Sequence, residues 1–157
     1  MRTFSLIKGL PVFHNKTGKY MGTIRDLLLS NKGDIQSIVV DGKGLFHPDH
    51  LIDFNHIISF GQDGVMIHEH LEQLKRKKAE SYYLSHHHGL LGRDLYSTEG
   101  ERLGIIDDVY FDEKLGTILG YEVSEGFFAD IAEGKKVIPT KNPLQFGEDI
   151  IQIEIDT

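Results

Sequence analysis

Two successive aspartates, Asp107 and Asp108, close the segment EGERLGIIDD at residues 99–108, just behind the glycines Gly100 and Gly104. Paired carboxylates are the material of general acid–base catalysis, and spaced glycines can cradle a phosphate. Neither use fits here. Consecutive residues on a strand point to opposite faces, so the two carboxylates cannot converge on one substrate. A phosphate cradle needs a denser glycine loop feeding a helix N-terminus, whereas Gly100 stands where a hairpin turn requires positive φ. Histidine offers a second chemistry, with nine in the chain. His47 and His50 lie in HPDH, His68 and His70 in HEH, and His86, His87 and His88 in SHHHG. On a strand, His68 and His70 share a face at a spacing that suits a divalent metal, so His68, His70, His86 and His88 are the candidate ligands. The plainer reading makes them exposed loop and connector residues.

Two further stretches bear on partners. KRKK at residues 75–78 has the composition of a nucleic-acid or acidic-partner patch. Four consecutive charges spread around a helix, however, and Glu69, Glu72 and Glu80 lie close enough to offset them, which favours a solvated face. SEGFFADIAEGKKVIPTKNP carries Phe127, Phe128 and Ile131 ahead of Gly134 and Pro139. These three side chains either plug the end of a barrel or form an exposed apolar patch of the kind that binds a protein partner. Enzyme signatures are missing: there is no nucleophile elbow, Walker loop, zinc-protease helix or dinucleotide fingerprint, and no catalytic residue is assigned.

The elements that must position these residues come twice. Residues 9–40 align with residues 92–123 with two one-residue gaps, pairing Gly9 with Gly92, Gly18 with Gly100, Gly22 with Gly104, Asp26 with Asp108, Gly33 with Gly116, Ile35 with Ile118 and Val40 with Val123. Phe60, Gly61 and Asp63 recur as Phe146, Gly147 and Asp149. A residue repeated in both copies serves the fold more readily than a single active centre, so Gly18, Gly22, Asp26, Gly100, Gly104 and Asp108 are read as structural positions. Asp26 and Asp108 are expected to accept hydrogen bonds from the amides of a neighbouring turn.

Within the first copy the strand candidates are residues 11–14, 20–29, 35–41, 51–54, 57–60 and 65–68. They are short, rich in Ile, Val, Leu and Phe, and separated by NKTG, NKGD and GQDG turns. So many short strands in so short a length suggest a closed or nearly closed barrel, since closure removes exposed edges. The second copy repeats the plan. The fold expected is all-β, with a first barrel over residues 1–69, a helical connector over 70–89 and a second barrel over 90–157. No strand should be shared between the barrels.

The order of these features resembles the PRC-barrel family. It runs from an opening Gly through an apolar strand, a turn Gly, a second Gly four residues on and an Asp, to a closing FGxD. The family is named for the cytoplasmic domain of the photosynthetic reaction-centre H subunit, and a related domain ends the ribosome-maturation factor RimM. The resemblance covers nearly the whole chain, twice. It implies a compact barrel used as an assembly or adaptor module. Neither a membrane anchor nor the maturation factor's additional barrel can be read here, so neither photosynthesis nor ribosome maturation carries over.

Composition narrows the function further. With 24 acidic and 17 basic side chains the net charge is −7, which repels phosphate backbones and anionic lipid. Nucleic acid is therefore a disfavoured partner. The absence of cysteine excludes disulfides and thiolate chemistry and fits a reducing cytoplasm. No apolar run reaches the roughly 18 residues that span a bilayer, and Lys8 interrupts the first one too early for a signal peptide. The sequence thus predicts a non-catalytic cytoplasmic adaptor without cofactor that binds a protein partner and can form a homo-oligomer. The alternatives are a histidine-dependent metal protein and an RNA-associated factor acting through the basic connector.

Overall fold

The computed structural model describes residues 1–42, 49–68, 81–86, 88–140 and 142–155, and within these all side chains except those of residues 127–129. The first half contains β1 (Arg2–Thr3), α1 (Phe4–Ile7), β2 (Pro11–His14), β3 (Tyr20–Ser30), β4 (Ile35–Asp41), β5 (His50–Asp53), β6 (Ile57–Phe60) and β7 (Val65–Ile67). The second contains β8 (Ser81–Tyr83), β9 (Asp94–Ser97), β10 (Arg102–Phe111), β11 (Ile118–Ser124), α2 (Phe127–Glu133), β12 (Lys136–Pro139), β13 (Gln145–Phe146) and β14 (Ile151–Ile153). A 3₁₀ turn, Phe54–His56, takes the place of the end of the strand expected at residues 51–54.

Each copy folds its six strands into one sheet, ordered β5-β4-β3-β2-β7-β6 and β12-β11-β10-β9-β14-β13. The two orders are the same path, and each includes one parallel pairing, β2 with β7 and β9 with β14. The inward residues Val12, Ile24, Leu27, Ile38, Val40, Ile52 and Val65 are almost wholly buried, as are Leu95, Ile106, Val109 and Val123 in the second copy. Together they form one continuous apolar core rather than two, which suits copies each too small to bury a large core alone.

The seventh strand of each sheet comes from the other half. β3 is 11 residues long while β2 is only 4, so β2 covers just the first part of one edge of β3. β8 fills the remainder, with Leu28 opposite Tyr83, Leu29 opposite Tyr82 and Ser30 opposite Ser81. In the same way β1 completes β10, with Arg2 opposite Phe111 and Thr3 opposite Tyr110. The expectation that no strand is shared thus holds for six strands of each sheet and fails for the seventh. The physical reason is the length mismatch, which would otherwise leave unpaired backbone groups along a long apolar strand.

The helical reading of the connector also needs correcting. Residues 69–80 lie outside the described residues, but the described end, Ser81–Tyr83, is strand and not helix. Two tyrosines beside an open strand edge favour pairing over a helical turn.

A third reciprocal contact joins the hairpin tips. Ile35 N–H donates to the Gly116 carbonyl at 2.7 Å, and Ile118 N–H donates to the Gly33 carbonyl at 3.0 Å. Asp34 and Thr117, equivalent positions of the two copies, face each other across this bridge. A local twofold relation between the copies therefore passes through it.

Candidate functional site

The repeated aspartates lie at the exchange. A β-bulge between Ile24 and Asp26 turns Arg25 outward and Asp26 inward, and the same irregularity separates Ile106 from Asp108. Asp26 is 1% exposed. Its carboxylate accepts the Leu27 amide at 2.8 Å, the Ser85 amide at 2.9 Å and the His86 amide at 2.9 Å. Asp108 accepts the Val109 amide at 2.9 Å and the Ser5 amide at 3.2 Å. Both aspartates accept backbone amides, as expected, but the partners are not in a neighbouring turn of the same copy. Each carboxylate holds the segment that leads into the other barrel.

His86 extends the first of these clusters. Its Nδ1 lies 2.8 Å from Asp26 Oδ2, and Arg25 Nε donates to its Nε2 at 3.3 Å. Both contacts are satisfied together by the tautomer that carries its proton on Nδ1. Arg25 in turn pairs with Asp49 at 3.0 Å. With both ring nitrogens engaged, His86 is a positioning residue at the barrel junction in this arrangement. The other candidate ligands do not gather around it. His68 is exposed beyond the end of β7, His88 sits at positive φ in the lead-in to the second barrel, and His70 lies outside the described residues. Among the described residues no group of three or more His, Asp or Glu side chains is placed to hold a metal ion.

The expected separation of the aspartate pair is observed: Asp107 faces solvent and pairs with Lys135, while Asp108 is buried. Gly18 and Gly100 occupy turns with φ of +69° and +91°. Gly22 and Gly104 have φ of +132° and +136° and lie against the backbone of Asp41 and Ser124.

The apolar insertion forms α2, a short helix bounded by Gly126 and Gly134 and tied to β11 where Ser124 Oγ donates to Asp130 at 2.7 Å. Ile131 is 69% exposed. On the neighbouring strands Val137 is 50% exposed and Ile105 40%. Ile105 pairs with Ser124, the residue that anchors α2. The side chains of Phe127 and Phe128 are outside those described, as is the basic run at residues 75–78.

Two cavities flank the hairpin bridge at twofold-related places. One, of about 340 Å³, is lined by Lys32 of the first copy and by Thr117, Tyr121, Thr140 and Asn142 of the second. The other, of about 370 Å³, has Leu115 where the first has Lys32, with Asp34, Gln36, Ser37 and Asp53 around it. Burial pushes the Tyr121 phenol well above its ordinary value of 10.0. Above about pH 10 the unfolded chain releases a proton that the folded chain keeps, so stability present below that pH falls as pH rises. Tyr110, raised by its bond to Glu122, adds to the same trend. Denaturant melts at about pH 9 and about pH 11 should show a smaller loss in Tyr121→Phe than in the unaltered protein, and equal losses would contradict this account.

Comparison with known proteins agrees with the geometry of the duplicated sheets. The PRC-barrel domain profile matches residues 1–74 and again residues 85–157. The chain belongs to the PRC-barrel family. It is 33% identical over 145 residues to the "Uncharacterized protein YrrD" of Bacillus subtilis (strain 168), an alignment covering 92% of this chain and 82% of that one. The second PRC-barrel match opens at Ser85, the residue whose amide is held by Asp26.

Sequence reasoning missed the lead-in segments themselves. Phe4-Ser5 and Leu84-Ser85 are equivalent, since both apolar side chains are buried and both serine amides meet a repeated aspartate. The two segments reach their opening glycines, Gly9 and Gly92, at different distances, because the His86, His87 and His88 stretch lengthens the second. That offset hides the match from a gapless comparison.

Proposed function

We propose that this PRC-barrel protein is a non-catalytic cytoplasmic adaptor or assembly factor that takes a protein partner on the outer face of its second barrel. The reading rests on three exposed apolar side chains of the second barrel, Ile131 on α2, Val137 on β12 and Ile105 on β10. Phe127 and Phe128 stand on the same short helix. The non-catalytic part is supported by the repeated carboxylates, which are buried and accept backbone amides at the barrel junction. A cysteine-free sequence supports the reducing compartment. No helix among the described residues is long and apolar enough to cross a membrane.

Apolar side chains on such a face gain about 25 cal/mol per Å² when a partner removes them from water, before association costs. The double variant Phe127→Ser/Phe128→Ser is therefore expected to keep its far-ultraviolet β signal and to lose most of the partner captured by the unaltered protein from native lysate. A folded double variant that retrieves the same proteins in the same yield would contradict the placement. A double variant that unfolds would assign these side chains to the barrel end instead.

A further inference from the structure

The contacts that lock the barrels together have the form of ligand recognition. Along the second half of β3 an extended segment adds as a strand, through Ser81, Tyr82 and Tyr83. Leu84 N–H then donates to the Leu27 carbonyl at 2.9 Å, and the Leu84 side chain is fully buried. The chain turns at Ser85, and two successive amides converge on the Asp26 carboxylate. Within its own half, Tyr82 stacks on Phe146 of β13 at 3.9 Å between ring centroids, with the rings 5° from parallel, which positions the segment for this pairing. The second barrel repeats the arrangement with Arg2 and Thr3 as the strand, Phe4 as the buried side chain and the Ser5 amide on Asp108. Strand addition supplies affinity through the backbone, and the pocket and carboxylate supply selectivity.

We propose that the open half of β3 with Asp26, and its counterpart on β10 with Asp108, are peptide-docking sites in their own right. Each takes an extended segment of two or three strand residues, one large apolar side chain and a following turn with free amides. The occupant in each barrel is the lead-in segment of a second PRC copy, and the site accepts it from a separate molecule as well as from the same chain. Two different segments, Arg2 to Ser5 and Tyr82 to Ser85, satisfy equivalent sites with only the serine in common, so the recognised features are backbone form, apolar bulk and amide position. In the intact protein the covalent link raises the local concentration of the segment, which keeps the contact within one chain. The first barrel is the stronger site, since Asp26 takes two amides and a ring nitrogen from its segment where Asp108 takes one amide. These sites are separate from α2 and stand independently of the partner face proposed there.

The test uses the full chain with a protease recognition sequence placed between residues 70 and 78, cleaved completely and followed by sedimentation and far-ultraviolet circular dichroism. The expected result is that the cut halves keep their β signal and sediment together as one particle of the uncut mass, 17.8 kDa before the insertion. Asp26→Ala and, separately, Ser85→Pro should each weaken the association of the cut halves at least about tenfold. The second change lies in the segment and leaves the first barrel's own residues untouched. Halves that separate or lose their β signal on cutting would overturn the proposal. So would halves that stay together equally well in both variants, because the hairpin bridge and the shared core would then suffice.

Discussion

Gly22→Ala and Gly104→Ala are each expected to destabilise the protein by about 3 kcal/mol or more, and the valine variants at least as much. At Gly22 a Cβ would overlap the Asp41 carbonyl oxygen, and at Gly104 it would stand 2.5 Å from the Ser124 carbonyl oxygen. Those carbonyls belong to β4 and β11, which pair along the whole neighbouring edge and cannot retreat without opening the sheet. Positive φ adds a second cost that falls on any side chain. The clash begins at Cβ itself, so alanine carries most of the effect and the branching of valine adds to it. Gly18→Ala is the control: its φ is +69°, but nothing lies within 4 Å of the added carbon, so the cost should stay near about 1–2 kcal/mol. Urea melts of the three alanine variants decide the matter. Similar losses at Gly18 and Gly22 would show that close approach to β4 is not what requires glycine.

The second large effect is expected at the buried aspartates. Asp26→Ala removes the acceptor for three backbone amides, of Leu27, Ser85 and His86, and for the His86 ring. A buried donor left without a partner costs about 1–3 kcal/mol, and His86 is partly open to water, so the total should be about 3–5 kcal/mol. Asp108→Ala strands two amides, of Val109 and Ser5, and should cost about 2–3 kcal/mol. Asp26→Asn should fall between Asp26→Ala and the unaltered protein, since its carbonyl still accepts from one side while its amide group meets the remaining donors. Each loss should be felt in both barrels, because each aspartate ties its own sheet to the other copy's lead-in. An Asp26→Ala variant that unfolds in two steps, with the second barrel melting as in the unaltered protein, would contradict the reciprocal arrangement.

Much of the fold was legible in the sequence because its signals are local. Turn glycines at Gly18 and Gly100, short apolar-rich runs in residues 35–41 and 118–124, and the recurrence of both in the same order lead directly to two similar sheets. The roles of Asp107 and Asp108 were equally readable, since strand alternation alone separates them. The exchange was not, because it depends on relations no local pattern carries. β3 outruns β2 by seven residues, and only tertiary structure shows what fills the gap. Tyr82 and Tyr83 fall in the span read as a helical connector until a free strand edge is placed beside them. His86 and His88 stand between candidate metal ligands and exposed loop residues for a similar reason. The place of His86 comes from Asp26 and Arg25, about 60 residues away in sequence, which draw it into the junction.

Amide hydrogen exchange read residue by residue in the unaltered protein tests the reciprocal exchange most directly. Ser5 stands in the first turn of α1, where amides have no intrahelical acceptor, and Ser85 and His86 stand in a bend, so all three exchange freely unless they are bonded and shielded. If each barrel holds the other's lead-in, Ser5 and Ser85 exchange slowly, with protection approaching that of the core strands, and His86 follows Ser85. Asp26→Asn should then speed exchange at Ser85 and His86 well before Ser5. Unprotected exchange at both Ser5 and Ser85 in the unaltered protein would contradict the account.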